Sequence, residues 1–227
     1  MTVVKARSFL LIPLLLLLVF SAAAEVWICP VCGAENTGRF CDSCGPALRD
    51  GLRLPGGAFS VAAAYTWPDG RHAAVLRNTS DTACGFRMQT LFIDASGQLA
   101  GVSDAAVDAC DPGAEVLVCA ACGDPFERVE YQIAPVASSR YDDVRGFVRV
   151  TAEKRENGAV LTAVNDGDRA AEALVCRCLF LDAEGRAACA ASGEPITLGP
   201  GETAALELSA GAPFETVLVY FEGRCRK

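Results

Sequence analysis

The feature that most restricts the fold of this chain is an internal repeat, visible at a constant offset of 88 residues. Turn-forming and core-forming residue types recur along the whole unit. The matched positions are Phe59 and Phe147, Gly70 and Gly158, Asp94 and Asp182, Gly97 and Gly185, Pro112-Gly113 and Pro200-Gly201, and Pro125-Phe126-Glu127 and Pro213-Phe214-Glu215. Chance does not reproduce such a combination over this length, so we predict two tandem domains of one fold. Their predicted limits are residues 58–137 and 146–225, with a linker at residues 138–145.

Each repeat carries the signals of β-strands. Phe86, Met88 and Phe92 alternate with polar residues such as Arg87 and Gln89, which is the period-2 pattern of a half-buried strand. Asp-Gly and Asn-Gly turns separate apolar runs, as they do in hairpins. About seven short strands in roughly 80 residues are typical of a small immunoglobulin-like β-sandwich. The predicted fold class is therefore mainly β.

The first 24 residues are typical of an export signal. Lys5 and Arg7 give a positive start, an apolar run follows at residues 9–20, and three alanines at residues 22–24 suit cleavage. We predict a signal peptide at residues 1–24. An uncleaved membrane anchor is the alternative, although the run is shorter than the about 20 residues of a spanning helix. Both readings place the remaining chain outside the cytoplasm, so the predicted location is secreted or extracytoplasmic, in the cell envelope.

Cys29, Cys32, Cys41 and Cys44 form two C-x2-C pairs with eight residues between the pairs. A glycine follows each pair and lets the backbone curl around a metal ion. Four thiolates at this spacing suit tetrahedral zinc, which would supply most of the folding free energy of so small a segment. We predict a structural Zn2+ site in a domain at residues 25–48. The alternative is two disulfides, because exported compartments oxidise thiols.

Residues 27–45 resemble the short zinc-ribbon family, whose form is Trp-x-Cys-Pro-x-Cys-Gly, a polar turn, and Phe-Cys-x-x-Cys-Gly. The resemblance implies that all four cysteines bind zinc structurally. The export signal departs from the family's usual intracellular context. The repeats are similar to exported bacterial sandwich domains of an uncharacterised or adhesive type, through residues 91–97, 179–185 and 200–202. Residues 49–57 are predicted to link the ribbon to the first repeat.

Eight further cysteines lie in the repeats, and none of them coincides with another at the offset of 88. They are Cys84, Cys110, Cys119, Cys122, Cys176, Cys178, Cys189 and Cys225. A tight turn at residues 182–185 would place Cys178 opposite Cys189, which makes them a candidate cross-strand disulfide unless a bulge changes the register. Cys119 and Cys122 form another C-x2-C pair and are a candidate redox pair, with structural disulfides or buried thiols as the alternative.

Charge and motifs narrow the functional classes. The chain has 20 basic and 28 acidic side chains, and because two of the basic ones precede residue 25, the rest of the chain has a net charge of -10. Such a chain repels phosphate backbones, so no nucleic-acid partner is expected. No nucleotide-binding, hydrolase or metalloprotease motif is present, and the single histidine, His72, has no evident acid or nucleophile beside it. Asn78-Thr79-Ser80 is a glycosylation sequon in a predicted loop.

The predicted function is that of an exported, non-catalytic protein with a structural zinc site and two binding or scaffold modules. We predict that it is not an enzyme. Its expected partner is another protein or an envelope component, with membrane contact only through an uncleaved N-terminal segment. The alternative function is a thiol-disulfide or metal-handling protein that uses Cys119 and Cys122.

Overall fold

The structure is a computed structural model that describes residues 27–28, 35–36, 57–138 and 140–227. These residues form sixteen strands and contain no helix. The strands are β1 (Trp27–Ile28), β2 (Glu35–Asn36), β3 (Phe59–Thr66), β4 (Arg71–Asn78), β5 (Cys84–Ile93), β6 (Leu99–Val107), β7 (Glu115–Ala121), β8 (Arg128–Ala137), β9 (Tyr141–Asp143), β10 (Val148–Arg155), β11 (Gly158–Asn165), β12 (Ala171–Leu181), β13 (Ala187–Ser192), β14 (Ile196–Leu198), β15 (Thr203–Ser209) and β16 (Thr216–Arg226). The mainly-β prediction is confirmed for the described residues.

The predicted alternation determines which side chains each strand buries. In β5, Phe86, Met88 and Phe92 are buried, while Arg87 and Gln89 between them are only partly buried. This is the arrangement expected when one face of a strand packs against a core and the other meets a more polar surface. The period-2 pattern therefore determines the orientation of this central strand.

The Asp-x-x-Gly turns form because the aspartate side chain holds the loop. Asp94 Oδ1 accepts hydrogen bonds from the backbone N–H groups of Ser96 (2.8 Å) and Gln98 (2.9 Å). Asp182 accepts the corresponding bonds in the second repeat. Gly97 and Gly185 complete the two turns with φ angles of 83° and 77°, a region that side chains with a Cβ disfavour.

The strands after β2 pair within two groups. The first strand group, β3 to β8, contains sheet 1 in the order β6-β5-β8 and sheet 2 in the order β3-β4-β7. The second strand group, β9 to β16, contains sheet 3 in the order β13-β12-β16-β9, with β14 paired to β12, and sheet 4 in the order β10-β11-β15. All of these pairings are antiparallel. The two groups thus repeat one order of strands.

A buried asparagine marks the same place in each strand group. Asn78 Nδ2 donates to the carbonyl oxygen of the residue four positions later and to that of Cys110, at 2.9 and 2.8 Å. Asn165 makes the corresponding two bonds, the second to Leu198, at 2.8 and 3.0 Å. The shared bonds show that Asn78 corresponds to Asn165 and Cys110 to Leu198. The local offset is therefore 87 at the asparagines and 88 at the second pair.

The first hairpin explains why the offset varies. Gly70 lies in a four-residue turn with φ 84°, whereas Gly158 begins β11 opposite Arg155, after a two-residue turn. The two glycines are therefore not structurally equivalent, although the sequence offset pairs them. A bulge in β3 between Val61 and Ala63 also shifts the pairing of β3 with β4 by one residue, whereas β10 and β11 pair without a shift.

One apolar core lies between the two sheets of each group. Between sheets 1 and 2, Phe59 meets Phe86 edge to face, with ring centroids 4.8 Å apart. Between sheets 3 and 4, Phe180 meets Phe214 in the same way at 4.7 Å. A third apolar cluster lies between sheets 2 and 3, so the four sheets stack as consecutive layers. Sheet-on-sheet packing of this kind is compatible with β-sandwich units.

Candidate functional site

The four-cysteine site predicted at Cys29, Cys32, Cys41 and Cys44 lies outside the described residues, as do residues 1–24 of the predicted signal. Next to it the structure describes one short antiparallel pair, in which β1 faces β2. The zinc site and the signal both stay predictions. Within the ranges that the structure describes, no group of three or more histidine, cysteine or acidic residues could hold a metal ion. The same ranges contain no helix long and apolar enough to cross a membrane.

Cys119 and Cys122 lie on opposite faces of sheet 2. Cys122 packs with Phe92 and Ala120 in a small apolar cluster of the first strand group, separate from its main core. Cys119 lies on the face that carries Leu117, toward the second strand group. Three steps of extended chain also separate the two Cα atoms by about 10 Å, which exceeds the reach of a disulfide. The structure therefore does not bring the candidate redox pair together.

Cys119 also lacks the properties of an activated thiol. The residue is exposed, yet desolvation of the sulfur raises the pKa of its thiol. The positive charges of Arg177 and Arg71 act in the opposite direction but do not prevail. A thiol with a raised pKa is protonated at neutral pH and is a weak nucleophile.

Cys178 and Cys189 are buried together, but not in the predicted register. The structure places Cys178 opposite Ala191 and Cys189 opposite Phe180. Two departures cause this: the turn pairs Leu181 with Ala187 rather than with Arg186, and a bulge between Phe180 and Leu181 shifts the pairing by one further residue. The predicted register is therefore wrong. The two thiols remain diagonal neighbours in one core, and their disulfide stays a prediction.

His72 is a buried core residue of the first strand group. Its Nδ1 lies 2.8 Å from Thr66 Oγ1, and its Nε2 lies 2.6 Å from the hydroxyl oxygen of Tyr131 on sheet 1. Burial lowers the pKa of the imidazole. A neutral ring with both nitrogens engaged joins sheet 2 to sheet 1 and has no free position for a ligand. Packing, rather than catalysis, explains this histidine.

The asparagine of the glycosylation sequon is also buried. Asn78 is buried, and both hydrogens of its side-chain amide are donated to backbone carbonyls. A glycan on Nδ2 would remove these bonds and has no room. The sequon therefore has a structural explanation in the folded protein.

The most extensive feature outside the two cores is the apolar contact between the strand groups. Ala73, Val75 and Leu117 of sheet 2 face Leu179 of sheet 3, and all four side chains are buried. At the edge of this contact, Trp67 Nε1 donates a 3.0 Å hydrogen bond to the carbonyl oxygen of Ala187. The residues packed around the centre are Ala63, Tyr65, Trp67, Leu181, Ala187, Ala190 and Tyr220. Alanines allow the two sheets to approach closely.

Polar contacts surround one side of this apolar contact. Asp108 of the first strand group forms ion pairs with Arg87, at 3.1 Å, and with Arg224 of the second. Burial of the carboxyl opposes ionisation, but the bonds and charges of Arg224 and Arg87 hold the pKa of Asp108 below its usual range. The guanidinium of Arg224 also lies over the ring of Tyr141, 4.6 Å from its centroid.

The connecting segment between the strand groups, at residues 140–145, is hydrogen-bonded to both groups. Asp143 accepts a 2.8 Å bond from the backbone N–H of Asp111 and pairs with Arg145. Arg145 donates to the carbonyl oxygen of Glu115 in the first group, at 2.9 Å, and to that of Phe221 in the second. The connecting segment therefore takes part in the contact and does not act as a free hinge.

One buried carboxylate at the contact is incompletely paired. Glu222 is only 8% exposed and pairs with Arg177 at 2.7 Å, while its Oε2 has no hydrogen-bond partner in the described residues. Burial raises the pKa of Glu222, despite the opposing charge of Arg177. A half-satisfied buried carboxylate weakens a contact rather than strengthening it.

Sequence reasoning missed this contact, although a signal for it was present. Residues 73–76 of β4 are all buried, which breaks the alternation expected of a strand with one exposed face. A continuous apolar run indicates that both faces of a strand are covered. The run Ala-Ala-Val-Leu could therefore have placed β4 in the middle of a stack.

Comparisons with known proteins identify no family for the chain. No protein-family model matches the chain, and no curated protein matches it either. Among solved structures, one match is the crystal structure of red sea bream transglutaminase, at 10% sequence identity and a TM-score of 0.26. The match covers 73% of this chain, and the chain spans 29% of the length of that protein.

The comparison corrects one prediction. The sequence predicted that the chain is not an enzyme, whereas the matched solved structure is named as an enzyme, a transglutaminase. We therefore withdraw the prediction that the chain is not an enzyme. At this TM-score the match carries no activity over to the chain, and no reaction is assigned to it.

Proposed function

We propose that the chain is an exported protein of the cell envelope or the secreted fraction, in which two β-sandwich modules form a platform that carries a zinc-binding head. The head is the four-cysteine ribbon at residues 25–48, folded by one Zn2+. The modules are immunoglobulin-like units at residues 58–137 and 146–225. The platform presents the head to another protein or to an envelope component.

The observation that carries this proposal is the contact between sheets 2 and 3. Four fully or nearly buried side chains meet there, and ion pairs and backbone hydrogen bonds tie the connecting segment to both strand groups. Tandem modules joined by a flexible linker move independently, whereas an apolar contact of this kind fixes their relative position. A fixed pair of modules suits a scaffold that must hold an attached head in one orientation.

The repeated hydrogen bonds support the division into two modules. Each strand group has its own apolar core, its own buried asparagine and its own pair of facing sheets. Facing antiparallel sheets with inward-pointing apolar residues are the basis of immunoglobulin-like architecture. The thiol-disulfide alternative gains no support, because Cys119 and Cys122 face away from each other.

Metal analysis with thiol counting on the purified exported chain tests the zinc-binding head. We expect one zinc per chain and four additional reactive thiols after chelation. The double variant Cys41→Ser/Cys44→Ser should lose the zinc, and the matched double variant Cys119→Ser/Cys122→Ser should retain it. A chain without metal and without releasable thiols at residues 29–44 would exclude the ribbon.

A second measurement tests the role of the platform. Crosslinking in cells that naturally produce the chain should give a defined adduct in the exported fraction. That adduct should be lost when the ribbon cysteines are replaced and retained when Cys119 and Cys122 are replaced. An adduct pattern unaffected by loss of the ribbon would contradict a role for the head in binding.

A further inference from the structure

Two buried cysteines of the first strand group, Cys84 and Cys110, lie side by side at one end of the sandwich. The backbone N–H of Cys84 donates a 3.1 Å hydrogen bond to the carbonyl oxygen of Cys110. Both residues are fully buried and belong to the same apolar core. In the structure both are thiols.

The internal repeat shows that these positions face each other. Cys110 corresponds to Leu198, because each supplies the carbonyl oxygen for the buried asparagine of its group. By the same offset of 87 that relates the asparagines, Cys84 corresponds to Ala171. Ala171 and Leu198 are directly opposed residues of β12 and β14, and both are buried. The second group thus fills with an apolar pair the place that the first group fills with two cysteines.

We propose that Cys84 and Cys110 form a disulfide in the mature, exported protein. Directly opposed residues on antiparallel strands have Cα atoms about 4.5–5.5 Å apart. Disulfides bridge Cα atoms about 4.4–6.8 Å apart. Cys110 lies between β6 and β7 rather than in a strand, but its carbonyl oxygen accepts the bond from Cys84 as a facing strand residue would, so the geometry suits the disulfide without a large movement of the backbone.

The other described cysteines do not offer an equally suitable partner. Cys119 faces the second strand group, and Cys122 lies in a different apolar cluster from Cys84. The remaining cysteines, Cys176, Cys178, Cys189 and Cys225, all belong to the core of the second group. Within the first group, Cys84 and Cys110 are therefore the best-placed disulfide partners for each other.

The reaction needs an oxidant, which we identify by class as a disulfide, either of a protein oxidase or of glutathione. The thiolate of one cysteine attacks the oxidant and forms a mixed disulfide, releasing one thiol. The second cysteine then attacks the mixed disulfide, which forms the internal bond and releases the second thiol. Two electrons and two protons pass from the protein to the oxidant.

Burial determines when this reaction can occur. Burial raises the pKa of the Cys110 thiol to about 12 and also raises the pKa of Cys84. The thiols of the folded protein are therefore poor nucleophiles, so the bond forms while the chain folds, before the core closes. Once formed, it is shielded from reductants by the same core.

The disulfide would lie directly behind the connecting segment. Cys110 is followed by Asp111, whose backbone N–H donates to Asp143. A disulfide at Cys110 therefore restrains the neighbouring backbone N–H of Asp111, whose hydrogen bond helps to hold the two modules together. The bond would make the position of the second module less dependent on fluctuations of the loop before β7.

Peptide mapping tests the bond in a defined redox buffer. The full chain is refolded with zinc and a mixture of reduced and oxidised glutathione, alkylated under denaturing conditions, and cut with trypsin and a glutamate-specific protease. Cleavage after Glu115 separates Cys110 from Cys119 and Cys122. We expect residues 78–87 to be recovered linked to residues 88–115. Recovery of Cys84 as an alkylated thiol, or linked to any other peptide, would overturn the proposal.

Thermal unfolding gives a second, independent result. Cys84→Ala and Cys110→Ala should lower the melting temperature of the oxidised protein by similar amounts, and the decrease in the double variant should be much smaller than the sum of the two single decreases, because the bond is lost only once. Dithiothreitol present during refolding should lower the melting temperature of the wild type by more than that of the double variant. Cys119→Ala is the matched control and should behave as the wild type.

Oxidation during maturation rests on the proposed export of the chain, whereas the mapping does not. A disulfide formed in the glutathione buffer with no exported protein in cells would refute export alone. An exported chain that retains both thiols after refolding and in its native fraction would refute the disulfide alone.

Discussion

Replacing Leu179 by alanine should release the two strand groups from each other while leaving both folded. Leu179 is fully buried in the contact between sheets 2 and 3, where it meets Ala73, Val75 and Leu117. Removing a fully buried leucine side chain beyond Cβ costs about 2–5 kcal/mol, and the cost is highest where the surroundings cannot collapse. Two sheets held by their own cores are rigid surroundings, so little relaxation is expected.

Trypsin cleavage after Arg145 reports this release. The Arg145 side chain is 18% exposed and donates to carbonyl oxygens of both strand groups, so cleavage requires the contact to open. If the variant loses about 2 kcal/mol from the contact, the open population and the cleavage rate rise about 30-fold under native conditions. The fragments are identified by their masses.

Leu174 provides a matched control, because it is equally buried but lies in the core between sheets 3 and 4. Leu174→Ala should lower the urea midpoint by a similar amount while cleavage after Arg145 in dilute buffer stays near the wild-type rate. The reasoning would be refuted if Leu179→Ala were cleaved no faster than the wild type, or if Leu174→Ala were cleaved as fast as Leu179→Ala.

Two further outcomes are expected, and urea unfolding checks both. Asn165→Ala should reduce the free energy of unfolding by about 1–3 kcal/mol, because two buried carbonyl oxygens lose their donor. The control Asn157→Ala, at an exposed turn, should change the free energy of unfolding little. Equal effects of the two substitutions would contradict the structural role given to the Asn165 side chain. Because burial lowers the pKa of His72 in the folded state, the unfolded chain binds the proton first, and stability should fall as the pH drops below about 6.5. His72→Gln should flatten that part of the pH profile, and an unchanged profile would show that other groups cause it.

Strand character and facing could be predicted from the sequence where one side of a strand meets a core. Phe86 and Met88 are buried as their alternation with Arg87 indicates. The repeat was visible because turns need particular residues, as Gly97 and Gly185 show. These signals are local and depend on backbone geometry and on the period of the strand.

Features set by packing between elements could not be predicted in the same way. The bulge after Phe180 moves Cys189 by one place, and no residue type at that position requires a bulge. The contact around Leu179 depends on which sheet face meets which, and that is a property of the whole stack. The asparagine that bonds Cys110 looked like part of a sequon, because its sequence context does not show that its side chain is buried.

The contact between the strand groups joins a face of sheet 2 to an unlike face, that of sheet 3. A contact between unlike faces can in principle be repeated from one unit to the next without limit. A contact of this heterologous kind produces a filament when the last unit presents the same face that received its neighbour. Here the end faces differ from the joined ones. Gln89 donates a hydrogen bond to Asp104 on the outer face of sheet 1, and Thr203 and Glu207 are exposed on sheet 4. At these positions the outer faces carry polar side chains where the joined faces carry buried alanine, valine and leucine, so they do not reproduce the apolar contact between sheets 2 and 3.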